Sequence, residues 1–393
     1  MSISALPAKR ADFLSFSPPA IGEEEIREVV DTLRSNWITT GPKTRQFEEE
    51  FARALGARSA LALNSCTAAL HTALVTLGIG PGDEVITTPL TFTASVNVIE
   101  HVAARPVLVD VEPDTLNLDP AAVEAAITPH TRALLPVHYA GHPVDLDALW
   151  ALAQTYHLWM VEDAAHAVAA KYRGAAIGSG DNPAAFSFYA TKNLTTGEGG
   201  MLTGDPEFLA QARIVSLHGM SRDAWKRYEA GGSWHYEVQL PGFKYNMTDM
   251  QAALGLWQLR KLARFQARRR AIVRLYDEAF ANVPALELPV CRPDVEHGWL
   301  LYVLRLRPEA LLIGRDQFIE QLAQRNIGTS VHFIPIHLHP YYRDKYGFSP
   351  GSYPVAYTNY RRMVSLPLHA RLTDQDVADV IEAVLDVVRS HRR

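Results

Sequence analysis

Only two cysteines, Cys66 and Cys291, occur in 393 residues. So far apart in sequence, they suggest no disulfide framework, as expected of a protein in a reducing cytoplasm. Long apolar runs are also missing. The nearest, Ala60 to Ile79, is broken by Asn64, Ser65, Thr67 and His71, short of the roughly 18 apolar residues a membrane span needs. The opening MSISALPAKRADFLSF lacks the apolar core of a signal peptide. A chain that is neither exported nor membrane-spanning is expected. Net charge is only -5 with 21% charged residues, which argues against nucleic acid as the main partner. One basic run, Arg260, Lys261, Arg264, Arg268, Arg269, Arg270 and Arg274, follows a helical apolar pattern and reads as a solvated helix face. There are no repeats and no low-complexity segments.

What is present is a chain with 48% hydrophobic residues, long enough for two domains and a large core. Glu23 to Ser35 places Ile26, Val29, Val30 and Leu33 on one helical face. Short apolar runs then alternate with helical patterns up to about residue 205. The runs are Glu84–Thr87, Val107–Asp110, Leu134–Val137, Trp159–Glu162, Ala185–Phe188 and Met201–Thr203; the helical patterns lie at Thr67–Leu77, Ala94–Val102, Pro120–Ile127 and Leu146–Tyr156. This alternation predicts an α/β fold with a mostly parallel sheet covered on both faces. Ligands of such sheets gather at the carboxyl ends of the strands, where Asp110, His138, Asp163 and Ser187 fall.

Thr248-Asp249-Met250-Gln251 is a capping box that opens a helix to about Phe280. A strand at Leu300–Leu306, a helix at Asp316–Arg325, a strand at Gly328–His332 and a last helix from about Asp374 to Arg389 follow. The reading is a large domain over residues 1–260 and a smaller C-terminal α/β domain over 261–393, with the long helix as hinge.

The chemistry concentrates in FSFYATKNLTTGEGGM, Phe186 to Met201, where Lys192 stands between an apolar strand and a Thr/Gly-rich loop. Thirty residues upstream, Trp159-Met160-Val161 ends in Glu162-Asp163. An amine and a carboxylate at two strand ends are what a pyridoxal phosphate enzyme needs. The lysine forms a Schiff base with the aldehyde, and the aspartate keeps the pyridine nitrogen protonated. Asn64-Ser65-Cys66-Thr67-Ala68-Ala69-Leu70 sits at a strand-to-helix junction; its residue types suit either an anion cradle or a plain helix cap. Ser187 is a second hydroxyl within reach of the same phosphate, Phe92 an aromatic able to stack on a pyridine ring, and His166 a near neighbour of Asp163. Gly78-Ile79-Gly80-Pro81-Gly82 precedes a strand and reads as a turn, not a dinucleotide loop. His332, His337 and His339 lack a nearby acidic or thiol ligand, so no metal site is expected.

Together these motifs resemble the DegT/DnrJ/EryC1/StrS sugar aminotransferases over nearly the whole chain. The matching segments run from Asn36-Trp37-Ile38-Thr39-Thr40-Gly41-Pro42 through NSCTAALH, PVHYAG, EDAAHA, the Lys192 segment, GFKYNMTDMQAALG and VHFIPIHLH to Ser365-Leu366-Pro367-Leu368. The resemblance implies a pyridoxal-phosphate-dependent transferase of fold type I, a homodimer with active sites shared across its interface. By the same resemblance Lys192 is the Schiff-base lysine and Asp163 the partner of the pyridine nitrogen. Cys66, Thr67 and Ser187 become phosphate ligands, and Phe92 covers the ring. Asn246 reaches the neighbouring subunit's cofactor, and Thr40 and His332 lie near a nucleotide-sugar substrate. His166 stands where the family often has glutamine.

Amino transfer from glutamate to a 4-keto nucleotide sugar is the implied reaction. Finer similarity, at His138-Tyr139-Ala140-Gly141, Glu162 to Ala167 and the insert before Lys244-Tyr245-Asn246, points to the branch making UDP-4-amino-4-deoxy-L-arabinose for lipid A. Thr195-Thr196-Gly197-Glu198 departs from it toward enzymes of 4-keto-6-deoxy sugars. Sugar dehydration, in which family members replace the lysine by histidine, is disfavoured by Lys192. A non-catalytic cofactor-binding sensor is disfavoured by Lys192, Asp163 and the lack of an appended DNA-binding segment.

Overall fold

The computed structural model describes residues 10–220 and 235–393. The first unit is built on strands β1 (Ala60–Leu63), β2 (Glu84–Thr87), β3 (Arg105–Leu108), β4 (Thr131–Leu134), β5 (Trp159–Met160), β6 (Glu162–Asp163), β7 (Lys171–Tyr172), β8 (Ala175–Ala176), β9 (Ala184–Ser187) and β10 (Gly200–Thr203). β3, β2, β4 and β5 pair in that order, all parallel. β6 pairs parallel with β9, while β10 runs antiparallel to both β9 and β1. The two sets are one sheet: Val161 N–H donates to the Leu134 carbonyl and Asp163 N–H to that of Pro136, each at 2.9 Å. Central strands are apolar throughout because both faces are covered, and Val85, Ile86, Ala185 and Phe186 are fully buried.

Two expected strands start and stop earlier than the apolar runs suggest. β4 ends at Leu134, two residues before Pro136, which has no N–H for the ladder. β3 ends at Leu108, and Asp110 leaves the sheet to accept the N–H groups of Val355 and Ala356 at 2.8 and 2.9 Å. Asp110 therefore anchors the start of a helix in the second unit.

The helix Asp249–Phe280 opens with the Thr248/Gln251 capping box. Ala252 and Leu256 pack with Phe47, Phe51 and Phe188 in one core, whereas Ile272, Val273, Tyr276 and Phe280 belong to another. That second core covers a small antiparallel sheet. Its strands β11 (Leu286–Glu287), β13 (Tyr302–Leu306) and β14 (Met363–Leu366) lie under helices Arg315–Gln324 and Asp374–Ser390, while β12 (Val295–Glu296) crosses to pair with β7. The strand expected at 328–332 is absent: Ser330 makes a single bridge to Ser365, and β14 takes its place in the sheet. Gly328 instead gives its N–H to the Leu14 carbonyl (2.9 Å), so the N-terminal stretch pins this segment, and Leu14 joins the second core. Among the described residues no helix is long and apolar enough to cross a membrane.

Candidate active site

The carboxyl ends of β6 and β9 bring an amine and a carboxylate into one buried region. Lys192 lies in the turn after β9, its N–H donating to the Tyr189 carbonyl at 2.9 Å. Burial pushes its amine down to about 8, against the weaker upward pull of Cys66 and Asp163. A fraction of the amine is then neutral near neutrality, as a base or nucleophile requires. Asp163 is 4% exposed. Its Oδ2 accepts from Ser95 Oγ at 2.7 Å and its Oδ1 from Ala165 N–H at 3.0 Å. Burial pushes its carboxyl above the ordinary value, since the Ser95 and Ala165 hydrogen bonds and the Lys192 charge do not fully offset desolvation. A buried carboxylate held in this way suits a cationic ring N–H.

His138 braces this carboxylate's strand. Its N–H donates to the Asp163 carbonyl (3.1 Å), while its ring takes the Val144 N–H on Nδ1 (3.1 Å) and meets Glu162 Oε2 through Nε2 (2.9 Å). Nδ1 as acceptor leaves the proton on Nε2, directed at Glu162.

The helix Cys66–Thr76 starts beside the pair. Ser65 caps it, its Oγ accepting from Ala68 N–H at 3.0 Å. The N–H groups of Cys66 and Thr67 have no acceptor among the described residues, so the first turn presents free donors and a positive dipole end. Cys66 Sγ rests on the Ala185 carbonyl (3.4 Å), and burial raises its thiol well above the ordinary value. That disfavours a thiolate nucleophile. Gly200 lets β10 pass under this turn: a Cβ there would lie 2.4 Å from the Ser65 carbonyl carbon. Ser187, at the end of β9, is buried, its Oγ accepting only a long 3.4 Å bond from Tyr189 N–H.

A ring of aromatics and neutral imidazoles borders Lys192. His166 Nδ1 accepts the Ala140 N–H at 3.2 Å, leaving Nε2–H as the free donor. Burial, then the Lys192 and His332 charges, hold its pKa well below the ordinary value. His332, paired through Nδ1 with Ser365 Oγ at 2.8 Å, is pushed down to about 4 by burial and by Lys192. Phe333 stands between them: its ring centroid is 5.7 Å from His166, 5.1 Å from His332 and 5.9 Å from Phe92. Phe92 is 60% exposed and Tyr189 47%, an uncovered apolar surface that a planar ligand would bury.

Thr40 and Asn246 form a separate group. Asn246 Nδ2 donates to Thr40 Oγ1 at 2.6 Å, and Thr40 Oγ1 to the Met247 carbonyl. The Tyr245 carbonyl accepts the Asn64 N–H at 2.7 Å, so this group meets the chain just before the Cys66 turn. Among the described residues no hydrogen bond joins Thr40 to His332. Of the insert before Lys244, residues 221–234 lie outside the described residues. Ser95 and Phe333 went unnoticed from sequence. Ser95, four residues after Thr91 at a helix start, carried only an ordinary capping signal.

The donor set fits a small aromatic aldehyde bearing a ring nitrogen and a phosphate. Comparison with known proteins agrees. The sequence pattern of the DegT/DnrJ/EryC1/StrS aminotransferase family matches residues 19–385. The spore coat polysaccharide biosynthesis protein SpsC of Bacillus subtilis is 53% identical over 383 residues, covering 97% of this chain and 98% of that protein. The putative sugar aminotransferase Spr1654 of Streptococcus pneumoniae, in its PMP form, superposes with a TM-score of 0.89 at 39% identity, covering 96% of this chain and 99% of that one. Its PLP form gives the same TM-score at 38% identity, with the same coverage. Helicobacter pylori PseC, an aminotransferase of pseudoaminic acid biosynthesis, gives 0.88 at 28% identity, covering 96% and 100%.

Proposed function

This chain belongs to the DegT/DnrJ/EryC1/StrS aminotransferase family and depends on pyridoxal phosphate, and on that premise we propose that it moves the amino group of L-glutamate to C4 of a UDP-linked 4-keto sugar in the cytoplasm. The observation that carries the reading is Lys192, an amine depressed to about 8 in the same buried region as the Asp163 carboxylate. The products are 2-oxoglutarate and a 4-amino sugar nucleotide.

Lys192 would hold the cofactor and Asp163 would pair with its ring nitrogen. The free N–H groups of Cys66 and Thr67, with Ser187, would take the phosphate, and Phe92 would cover the ring. When bound, the cofactor supplies a sink for the electron pair left when a proton leaves carbon. Lys192 Nζ, neutral in part near pH 8, takes the proton from glutamate Cα and later returns one to sugar C4. A cationic ring N–H opposite Asp163 would favour its ionised form against burial, and that charge would keep the sink effective. Neutral His166 offers Nε2–H as a hydrogen-bond donor. Neutral His332 adds a polar but uncharged wall. Asn246 is assigned to the neighbouring subunit's cofactor in a homodimer, and Thr40, which accepts its hydrogen bond, to the nucleotide-sugar substrate.

For the acceptor we favour the 4-keto pentose, on the motif matches at Tyr139, His166 and Lys244. A 4-keto-6-deoxy hexose is the second reading, favoured by Thr195-Thr196-Gly197-Glu198. That turn is locked by Thr196 Oγ1 on the Glu198 carbonyl (2.6 Å) and Thr195 Oγ1 on that of Phe188 (3.0 Å). A pocket that closes on the missing methyl discriminates by roughly 10- to 200-fold. Comparing kcat/KM for UDP-4-keto-pentose and a UDP-4-keto-6-deoxy hexose, with glutamate as donor, decides between them. Preference for the hexose overturns the pentose and leaves amino transfer standing.

A further inference from the structure

Behind Lys192, on the side facing the C-terminal unit, lies a small cavity of about 10 Å³ whose lining includes Lys192, Asn193, Ser17, Gln258, Arg269 and His369. That is the space a single water needs, provided it finds two to four polar partners. The lining supplies them. Arg269 is 3% exposed and Nη1 donates to the carbonyls of Leu368 (2.7 Å), Trp299 (3.2 Å) and Leu300 (3.3 Å), but Nε has no acceptor. Asn193, the residue after Lys192, gives its amide hydrogens to the Gly298 carbonyl (2.6 Å) and Gln266 Oε1 (3.4 Å), while Oδ1 accepts nothing. His369, 4% exposed, makes no well-formed hydrogen bond through either ring nitrogen. Burial, then the Arg269 charge, pulls its pKa down to about 4, against the weaker upward pull of the Ser15 carbonyl and Asp376.

Three side chains that carry an unmet donor, an unmet acceptor and an imidazole able to act as either therefore line the same cavity. Leaving a buried polar group unsatisfied is costly, and such groups are rarely orphaned together. Arg269 has no carboxylate partner among the described residues, and burial alone pulls its guanidinium down to about 9, which leaves it charged at neutral pH. The charge is met only by carbonyls and by whatever occupies the cavity.

We propose that Arg269, Asn193 and His369 hold one ordered water behind Lys192, and that this water ties the lysine's loop to the C-terminal unit. Arg269 and His369 are then positioning residues for amino transfer: through the water and Asn193 they fix the loop from which Lys192 works. The functional half rests on the reading of Lys192 given above; the water itself does not.

The test joins diffraction to spectroscopy on the cofactor-loaded enzyme. Wild-type crystals should show one ordered water within about 3.2 Å of Arg269 Nε and Asn193 Oδ1; an empty cavity overturns the site. His369→Leu, which removes one partner at similar volume, should lower kcat about tenfold with the keto-sugar KM nearly unchanged. It should also shift the pH at which the absorption of the bound cofactor changes. His369→Gln, still able to bond the water, should restore most of both. Equal effects from the two variants, or a lower melting temperature with an unmoved absorption titration, overturn the positioning role. If instead Lys192→Ala keeps wild-type turnover, the functional reading fails while the water density stands.

Discussion

Lys192 and Asp163 oppose each other in a way their proton equilibria make measurable. The lysine falls to about 8 from an ordinary 10.5 through burial, so in the cofactor-free protein the unfolded chain binds more protons between those two values. Stability must then rise with pH across about 8 to 10.5, the full cost of burying the cation being felt below 8. Urea unfolding of wild type minus Lys192→Met should show that rise, and a flat difference would place the amine in water. Asp163→Asn keeps the shape but loses the charge facing the ring nitrogen. The rate should fall by several orders of magnitude; a loss under about tenfold, roughly 1.4 kcal/mol of barrier, contradicts the assignment. Both residues were readable from sequence because each closes a short apolar run. Ser95, Arg269 and His369 were not: Ser95 looks like a helix cap, and Arg269 like one more member of a solvated basic run. Only the packing of distant segments gives Arg269 three carbonyls and no carboxylate.

Between elements, the decisive junction is the start of the helix Cys66–Thr76 on β10. Gly200 permits it, since an added Cβ would come within 2.4 Å of Ser65 carbonyl carbon and 2.5 Å of Cys66 nitrogen. Gly200→Ala should force the free N–H groups out of line and weaken cofactor binding at least tenfold, read by fluorescence titration. Gly180→Ala, where a Cβ meets nothing within 4 Å, should bind as wild type does. Unchanged binding in Gly200→Ala would mean that this turn does not hold the phosphate. Element positions were legible where periodicity is local. The helix Asp249–Phe280 begins at its capping box and ends where the apolar pattern ends. Strand ends were less so, because Pro136 and the capping role of Asp110 stop β4 and β3 ahead of the apolar signal. The segment 328–332 has strand composition, yet its N–H and carbonyl groups are divided between Leu14 and Ser365.

The whole molecule sorts its site residues into two groups, one around Lys192 and one at Asn246 and Thr40. If the second serves the partner's cofactor, mixing Lys192→Ala chains with Asn246→Ala chains should restore part of the lost activity. Such a heterodimer carries one site with both lesions and one with neither. Full activity in a strictly monomeric sample contradicts a shared site. The helix Asp249–Phe280 contributes to both cores, while the N-terminal stretch joins the second through Leu14 and meets the lysine's loop where Ser17 Oγ donates to the Thr191 carbonyl at 3.2 Å. The most direct test of the account follows nitrogen itself. Wild-type enzyme is incubated with 15N-labelled glutamate and UDP-4-keto sugars, and the sugar nucleotides are weighed by mass spectrometry. The account predicts 15N in a 4-amino sugar nucleotide with wild type and none with Lys192→Ala. Label absent from every keto sugar offered, or present equally in both proteins, would contradict it.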